Sequence, residues 1–283
     1  MQRSVLSLLI CVLVCTASVF GATLHVPSEY ATIAAAKDNC VTGDTIQVAH
    51  GVYDEILVFS RQHDNCVLLG DPDNPAAVKI APTSYATIIT SAAHDFKISG
   101  FTITGGSTGI ILNLCERVAL SDLIVEENGT GIYTARAYDG LTIDRCLIRN
   151  NTTGLRFNGS GLPVHMENCT ITGNSGSGIS ITALNAASTF RNLIIENNTG
   201  TGSDGGGVKL SRADAFIFEN CRIRGNSCTG SGPQGWVIVG GVLLLRCCDT
   251  DLAGWAGDVT LDNEGCVVGN EIRTWSGVKA MFR

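Results

Sequence analysis

Apolar residues alternate with polar ones in short runs along this chain, and the runs recur about every two dozen residues. Segments 99–106, 121–128, 144–151, 167–174, 191–198 and 219–226 align on an inward position held by Phe101, Leu123, Cys146, Cys169, Leu193 and Cys221. Two residues on come Ile103, Val125, Ile148, Ile171, Ile195 and Ile223, and three further Gly106, Asn128, Asn151, Asn174, Asn198 and Asn226. The units are offset by 22, 23, 23, 24 and 28 residues. Each reads as a short strand, a polar bend, a glycine-rich turn and a second short strand, as at 131–133, 154–156 and 178–180. Alternation with a period of two buries only one face of a strand. No unit has enough apolar residues for its own core, and no helix-length segment is present to cover a sheet. The units must therefore stack, ~4.8 Å apart, so that equal offsets become neighbours. Aliphatic residues then line the inside, and the Asn side chains hydrogen-bond from coil to coil at the bend.

These repeats resemble the right-handed parallel β-helix of the pectin-lyase-like superfamily over roughly residues 23–226. Residues 25–55 (HVPSEYATIAAAKDNCVTGDTIQVAHGVYDE), followed by CVLLGD, resemble that family's opening coil. Ser28 or Thr32 can start a short helix whose Ile33 and Ala34 face inward, and Gly43-Asp44 turns into a strand over 45–49. Such a helix closes an open end whose unpaired edges would invite aggregation. The expected fold is all-β, a single-stranded right-handed parallel β-helix (solenoid) with a short N-terminal capping helix. The expected division is a signal peptide over 1–21 and the β-helix over 22–283, with roughly the last 40 residues an irregular coil or cap where the repeat weakens.

Charge and cysteine content narrow the function classes. With 19 Lys+Arg against 26 Asp+Glu, a net charge of −7 and 45% hydrophobic residues, the chain is neither disordered nor a basic nucleic-acid binder. Residues 5–20 carry no charge and follow Arg3, the form of a signal h-region rather than a span of ~20 residues. Cleavage after Gly21 predicts a protein that is secreted, extracellular or periplasmic, or held at the cell surface, with no membrane span and as a monomer. Loss of Cys11 and Cys15 leaves ten of twelve cysteines. Cys146, Cys169 and Cys221 share one inward offset, slightly too far apart for relaxed disulfides, and read as buried thiols. Cys40 and Cys66, each in Asp-Asn-Cys-Val, either bridge two N-terminal coils or stay reduced. Cys247 and Cys248 point to opposite faces if strand-like, with Cys228 or Cys266 in reach of one of them. Six Asn-X-Ser/Thr sequons fall mostly at bends where Asn has a structural reason to be.

Outward positions can be stacked by the same offsets. One column reads Ile111, Tyr133, Arg156, Ser180, Lys209 and Val237, placing a ring beside two cations on an acidic protein. Tyr133, Arg156 and Lys209 are thus candidates for an anionic polysaccharide or cell-surface glycan, by ring stacking and charge-assisted hydrogen bonds. The alternative is an ordinary mixed polar strand surface. A second column, Thr104, Glu126, Arg149, Thr172, Glu196 and Arg224, sets each Glu beside an Arg and reads as structural. In a third, Ser121, Asp144, Glu167, Arg191 and Glu219, the carboxylates of Asp144 and Glu167 are neighbours. That pair is the weak catalytic candidate, suited to Ca²⁺ or acid–base chemistry unless Arg145 and Arg191 relieve it. Trp236, Trp255 and Trp275 cap the C-terminal end or serve as sugar platforms.

The resemblance implies particular catalytic segments, and none is found. Arg222-Ile223-Arg224 approaches the Arg-Ile-Lys of polygalacturonase-like hydrolases but is explained by the repeat, and residues 214–218 resemble a pectin methylesterase segment out of register. None of the five histidines lies in a recognisable catalytic segment, and no cysteine spacing matches a zinc site. The expected function is carbohydrate binding or surface presentation without a cofactor, Ca²⁺ excepted. The alternatives are a lyase or glycoside hydrolase acting on an acidic glycan, and a structural, adhesin-like module; a shared fold does not transfer an activity.

Overall fold

Alternating runs wind the chain into coils that pair, strand on strand, with the coils before and after. The computed structural model describes residues 21–82, 86–137, 140–158, 163–184, 188–201, 205–211, 215–229, 235–237, 242–250, 255–262, 267–268 and 271–272. The expected signal segment lies outside these except for Gly21, as do Cys266 and Trp275. Among the described residues the strands form one eleven-stranded and two nine-stranded sheets running the length of the solenoid. Neighbouring strands within these three sheets are parallel, and Ile148 lies directly beside Ile171, as the repeat offset requires.

Coils along the middle of the solenoid contribute three strands where the repeat alone reads as two, and the coils carrying Thr199–Thr201 and Ser227–Thr229 add a fourth. The run at 118–126 divides into Val118–Ser121 in the first sheet and Ile124–Glu126 in the second. A one-residue corner does this. Asp122, Arg145, Asn168, Asn192, Asn220 and Cys247 all take left-handed backbone with φ of 50–54°. For a non-glycine residue that conformation costs about 1–2 kcal/mol, least for Asn and Asp. The inward residue after each corner, from Leu123 through Cys146, Cys169, Leu193 and Cys221 to Cys248, is buried. Cys247 and Cys248 are therefore not opposite faces of a strand; one makes the corner and the other continues the inward column. Cys146, Cys169 and Cys221 are thiols, and burial pushes Cys146 and Cys221 well above the usual thiol range.

At the next corner the asparagines form a buried ladder. The side-chain amide nitrogen of Asn128 donates to Oδ1 of Asn151 at 3.1 Å, Asn151 to Asn174 at 3.1 Å, Asn174 to Asn198 at 2.8 Å and Asn198 to Asn226 at 2.9 Å. Each Oδ1 also accepts the backbone N–H of the preceding Asn, at 2.9–3.1 Å. Following this corner, the glycines at 109, 131, 154 and 178 let consecutive turns approach so closely that a methyl group would collide with the next coil.

The N-terminal end is closed as expected by the helix Ile33–Asn39. Thr32 caps it through the Ala35 N–H, and both carboxylate oxygens of Glu55 accept from Ile33 N and Ala34 N at 2.9 and 2.7 Å. Ile33 and Ala36 are its fully buried residues; Ala34 only leans on the core, because positions three apart share a helical face and adjacent ones do not. His63 secures the other end. Its Nδ1 accepts from Ser60 N at 3.0 Å, leaving Nε2–H to donate to the Lys37 carbonyl at 3.2 Å.

Burial holds His63 below its ordinary value of 6.5, against the opposing pull of its two backbone contacts. The unfolded chain therefore binds this proton more readily than the folded one. Its contribution is present above pH ~6.5 and is lost as pH falls below that value, with a slope of at most about 1.4 kcal/mol per pH unit. Thermal melts between pH 5 and 7 should show stability falling with acidification, and His63→Gln should flatten that slope. An unchanged slope in the variant would show that His63 does not carry it.

Candidate functional site

The third sheet carries the basic stripe on its outward face. Strand Thr130–Ala137 pairs with Thr153–Asn158, which pairs with Ile179–Ala183 and then Val208–Leu210. Alternation turns Ile132, Leu155, Ile179 and Val208 into the core. The intervening positions place Tyr133 beside Arg156, Arg156 beside Ser180, and Ser180 beside Lys209. The column therefore exists as read, with one correction at its end. Lys209 pairs with Trp236 and not Val237, because Gly235 pairs with Val208 rather than with the turn glycine Gly207, one residue out of step.

Arg156 sets its guanidinium carbon 6.0 Å from the centre of the Tyr133 ring, at the reach of a cation–π contact. Asn158 donates its amide to the Tyr133 hydroxyl oxygen at 3.3 Å, and Thr182 donates to the Asn158 carbonyl oxygen at 3.2 Å and to the Phe157 carbonyl at 2.9 Å. The strand that carries Arg156 thus also anchors the ring's hydroxyl, through Asn158. Beside the stripe lies a cavity of about 210 Å³ lined by Arg156, Lys209, Ser180, Thr182, Thr201, Ser175 and the Thr152-Thr153 pair. Two cations and a wall of hydroxyls face one hollow. Such a surface can bind carboxylates by charge-assisted hydrogen bonds and sugar hydroxyls by neutral ones.

The candidate carboxylates sit on a different face. Asp144 and Glu167 are direct neighbours in the first sheet. Arg145 contacts Asp144 while also clamping Asp122 through two bonds of 2.7 and 3.0 Å. Asp144 accepts further from the Asn168 amide at 2.9 Å, and Glu167 from the Asn192 amide at 3.4 Å. Of the two arginines expected to relieve the pair, Arg145 contacts Asp144, whereas Arg191 turns to Glu219 at 2.9 Å. In the second sheet Arg149 pairs with Glu126 at 2.8 Å as expected. Glu196, however, is taken by Arg222, and Arg224 by Asp249. Among the described residues no group of three or more His, Cys, Asp or Glu is arranged to hold a metal ion. Trp255 is partly buried against the core and donates its indole N–H to Thr250 Oγ1 at 3.0 Å.

Sequence reasoning missed a larger hollow, about 700 Å³, at the N-terminal end. His25, Gln47, His50 and Asp71 line it together with Pro27 and Pro72. His50 Nε2 lies 2.7 Å from Asp71 Oδ2, a contact that holds the Asp71 carboxyl below the usual range. Gln47 donates to the carbonyls of Leu69 and Gly70 at 3.3 and 3.1 Å. His50 and Asp71 are thus spent on each other and Gln47 on backbone carbonyls. The signal was the pairing of His25 with Gln47 in the opening coils, which precede the clear repeat.

A family model described as a right-handed β-helix region matches residues 76–243, more than half of the chain. Several solved structures share the architecture at low identity. An alginate lyase from Paenibacillus sp. str. FPU-7 aligns with a TM-score of 0.56 and 14% identity, over 86% of this chain and 99% of that one. The pectate lyase Pel9A gives 0.54 and 11%, over 86% and 78%. A pectin methylesterase from Aspergillus niger gives 0.52 and 15%, over 92% and 90%. No curated protein sequence matches the chain. At these identities the likeness is one of fold.

Proposed function

Given that the chain belongs to the right-handed β-helix family, we propose that it is an exported protein that binds an acidic polysaccharide along the outward face of its third sheet. The observation that carries this reading is the alignment of Tyr133, Arg156, Ser180 and Lys209 on consecutive coils beside a hydroxyl-lined hollow. Neighbouring strands are ~4.8 Å apart, so a polymer lying along the solenoid axis meets a fresh side chain at each coil. Tyr133 offers an apolar ring for a sugar face, while Arg156 and Lys209 meet uronate carboxylates. The reading is further supported by fold neighbours that include an alginate lyase and a pectate lyase. The uncharged run at 5–20 supports export.

The test incubates purified protein with polygalacturonate, alginate and neutral glycans, with and without Ca²⁺. Retention on the acidic polymers is expected, weakening as salt screens the charges. Arg156→Ala and Lys209→Ala should each lower affinity about tenfold or more, the scale of one charge-assisted hydrogen bond. Release of unsaturated uronate or reducing ends, abolished by Asp144→Asn or Arg156→Ala, would replace binding by lyase or hydrolase activity. Absence of retention on every glycan would leave a structural module.

A further inference from the structure

The first two coils hold a pair of sulfurs outside the inward cysteine column. Cys40 is the C-cap of the helix Ile33–Asn39, and Cys66 immediately precedes the strand Val67–Leu69 one coil on. Both are buried, and their Sγ atoms lie 3.2 Å apart. A disulfide bond is about 2.05 Å long, so closure asks for a movement of roughly 1 Å. We propose that Cys40 and Cys66 are a redox-active pair whose disulfide locks the capping helix onto the second coil.

The surroundings of the other cysteines sharpen the contrast. Cys146, Cys169 and Cys221 each direct Sγ to a carbonyl of their own coil at 3.0–3.3 Å and to one of the preceding coil at 3.7–3.8 Å. They behave as weak donors with partners in place. Cys40 Sγ reaches the Val41 carbonyl only at 3.8 Å, and the other sulfur is closer than that. Val41 accepts from Cys66 Sγ at 3.0 Å, holding the second sulfur toward the first.

Position gives the bond its consequence. The capping helix is seven residues long, too short to persist without tertiary anchors. Glu55 holds its start and His63 its last turn, and a Cys40–Cys66 bond would tie its end covalently. The oxidant is a low-molecular-weight disulfide such as oxidised glutathione. Cys66, whose thiol the hydrogen bond from Cys40 holds below its usual range, ionises first. Its thiolate attacks one glutathione sulfur and expels the other as a thiolate. The Cys40 thiolate then attacks the Cys66 sulfur of the mixed disulfide and expels the second glutathione. Two protein S–H bonds and one glutathione S–S bond are exchanged for one protein S–S bond and two glutathione thiols.

The experiment equilibrates the full chain in graded mixtures of oxidised and reduced glutathione, quenches in acid, unfolds, alkylates and digests with trypsin. Cleavage after Lys37, Arg61 and Lys79 places the two cysteines on peptides 38–61 and 62–79. In oxidising mixtures these should appear joined, and in reducing mixtures separate and alkylated. The oxidised protein should melt about 6 °C or more above the reduced one. Cys40→Ser should abolish that difference, whereas Cys146→Ser should leave it intact. Both cysteines alkylated throughout, or a link from Cys40 to another cysteine, would overturn the proposal. Should Cys40→Ser fail to fold, the peptide map of the unaltered chain still decides it.

Discussion

Replacing Asn174 by Ala is expected to destabilise the solenoid by roughly 4 kcal/mol. The side chain sits in the middle of the amide ladder and is almost entirely buried. Its Oδ1 accepts from Asn151 N at 2.9 Å and Asn151 Nδ2 at 3.1 Å, and its Nδ2 donates to Asn198 Oδ1 at 2.8 Å and the Ile148 carbonyl at 3.3 Å. Alanine strands two donors and a carbonyl on the preceding coil and an acceptor on the next, at about 1–3 kcal/mol for each buried group left unpaired. Denaturant unfolding measures the loss. Asn150→Ala is the control, because Asn150 is exposed and its replacement meets only left-handed backbone strain (φ 55°), worth about 1–2 kcal/mol. Equal losses in the two variants would refute a structural role for the ladder.

Gly154→Ala should cost about 3 kcal/mol by a different route. A Cβ at residue 154 would stand 2.4 Å from the Gly178 carbonyl oxygen, 3.1 Å from the Asn174 amide nitrogen and 3.1 Å from Ile171 Cγ2. The first of these is backbone and cannot rotate away, so the two coils must separate, and overpacking of this kind costs about 1–3 kcal/mol or more. Gly140→Ala separates crowding from conformation: φ there is 79°, yet an added methyl meets nothing closer than 3.7 Å. Melting temperatures of the two variants give the comparison, and a milder effect at Gly154 than at Gly140 would contradict close coil contact as the cause.

Much of this architecture was legible because a repeat turns counting into geometry. Equal offsets placed Ile148 on Ile171, Asn151 on Asn174 and Tyr133 beside Arg156 without knowledge of the coil's shape. The division of the first run between two sheets escaped for a reason visible in hindsight. Inward positions run 118, 120, 123, 125, so the alternation changes parity across Ser121 and Asp122. That break is the left-handed corner, and at Asn168, Asn192 and Asn220 the residue type also marks it. Counting failed where coil length changed, as at Lys209 and Trp236. It was also silent on side-chain choice: Arg222 lies diagonal to Glu196 and captures it from Arg224, its partner in register. The His50–Asp71 contact lies before the clear repeat, where no offset was available to bring residues 21 apart together.

The amide ladder makes each coil an interchangeable part. Every rung receives from its predecessor the same bonds that it passes to its successor, so a coil inserted or excised in register would find matching surfaces above and below. A lineage carrying this chain can therefore lengthen or shorten the molecule by whole coils. The row that holds Tyr133, Arg156 and Lys209 would grow or shrink in step, and with it the span that the proposed polysaccharide site would cover.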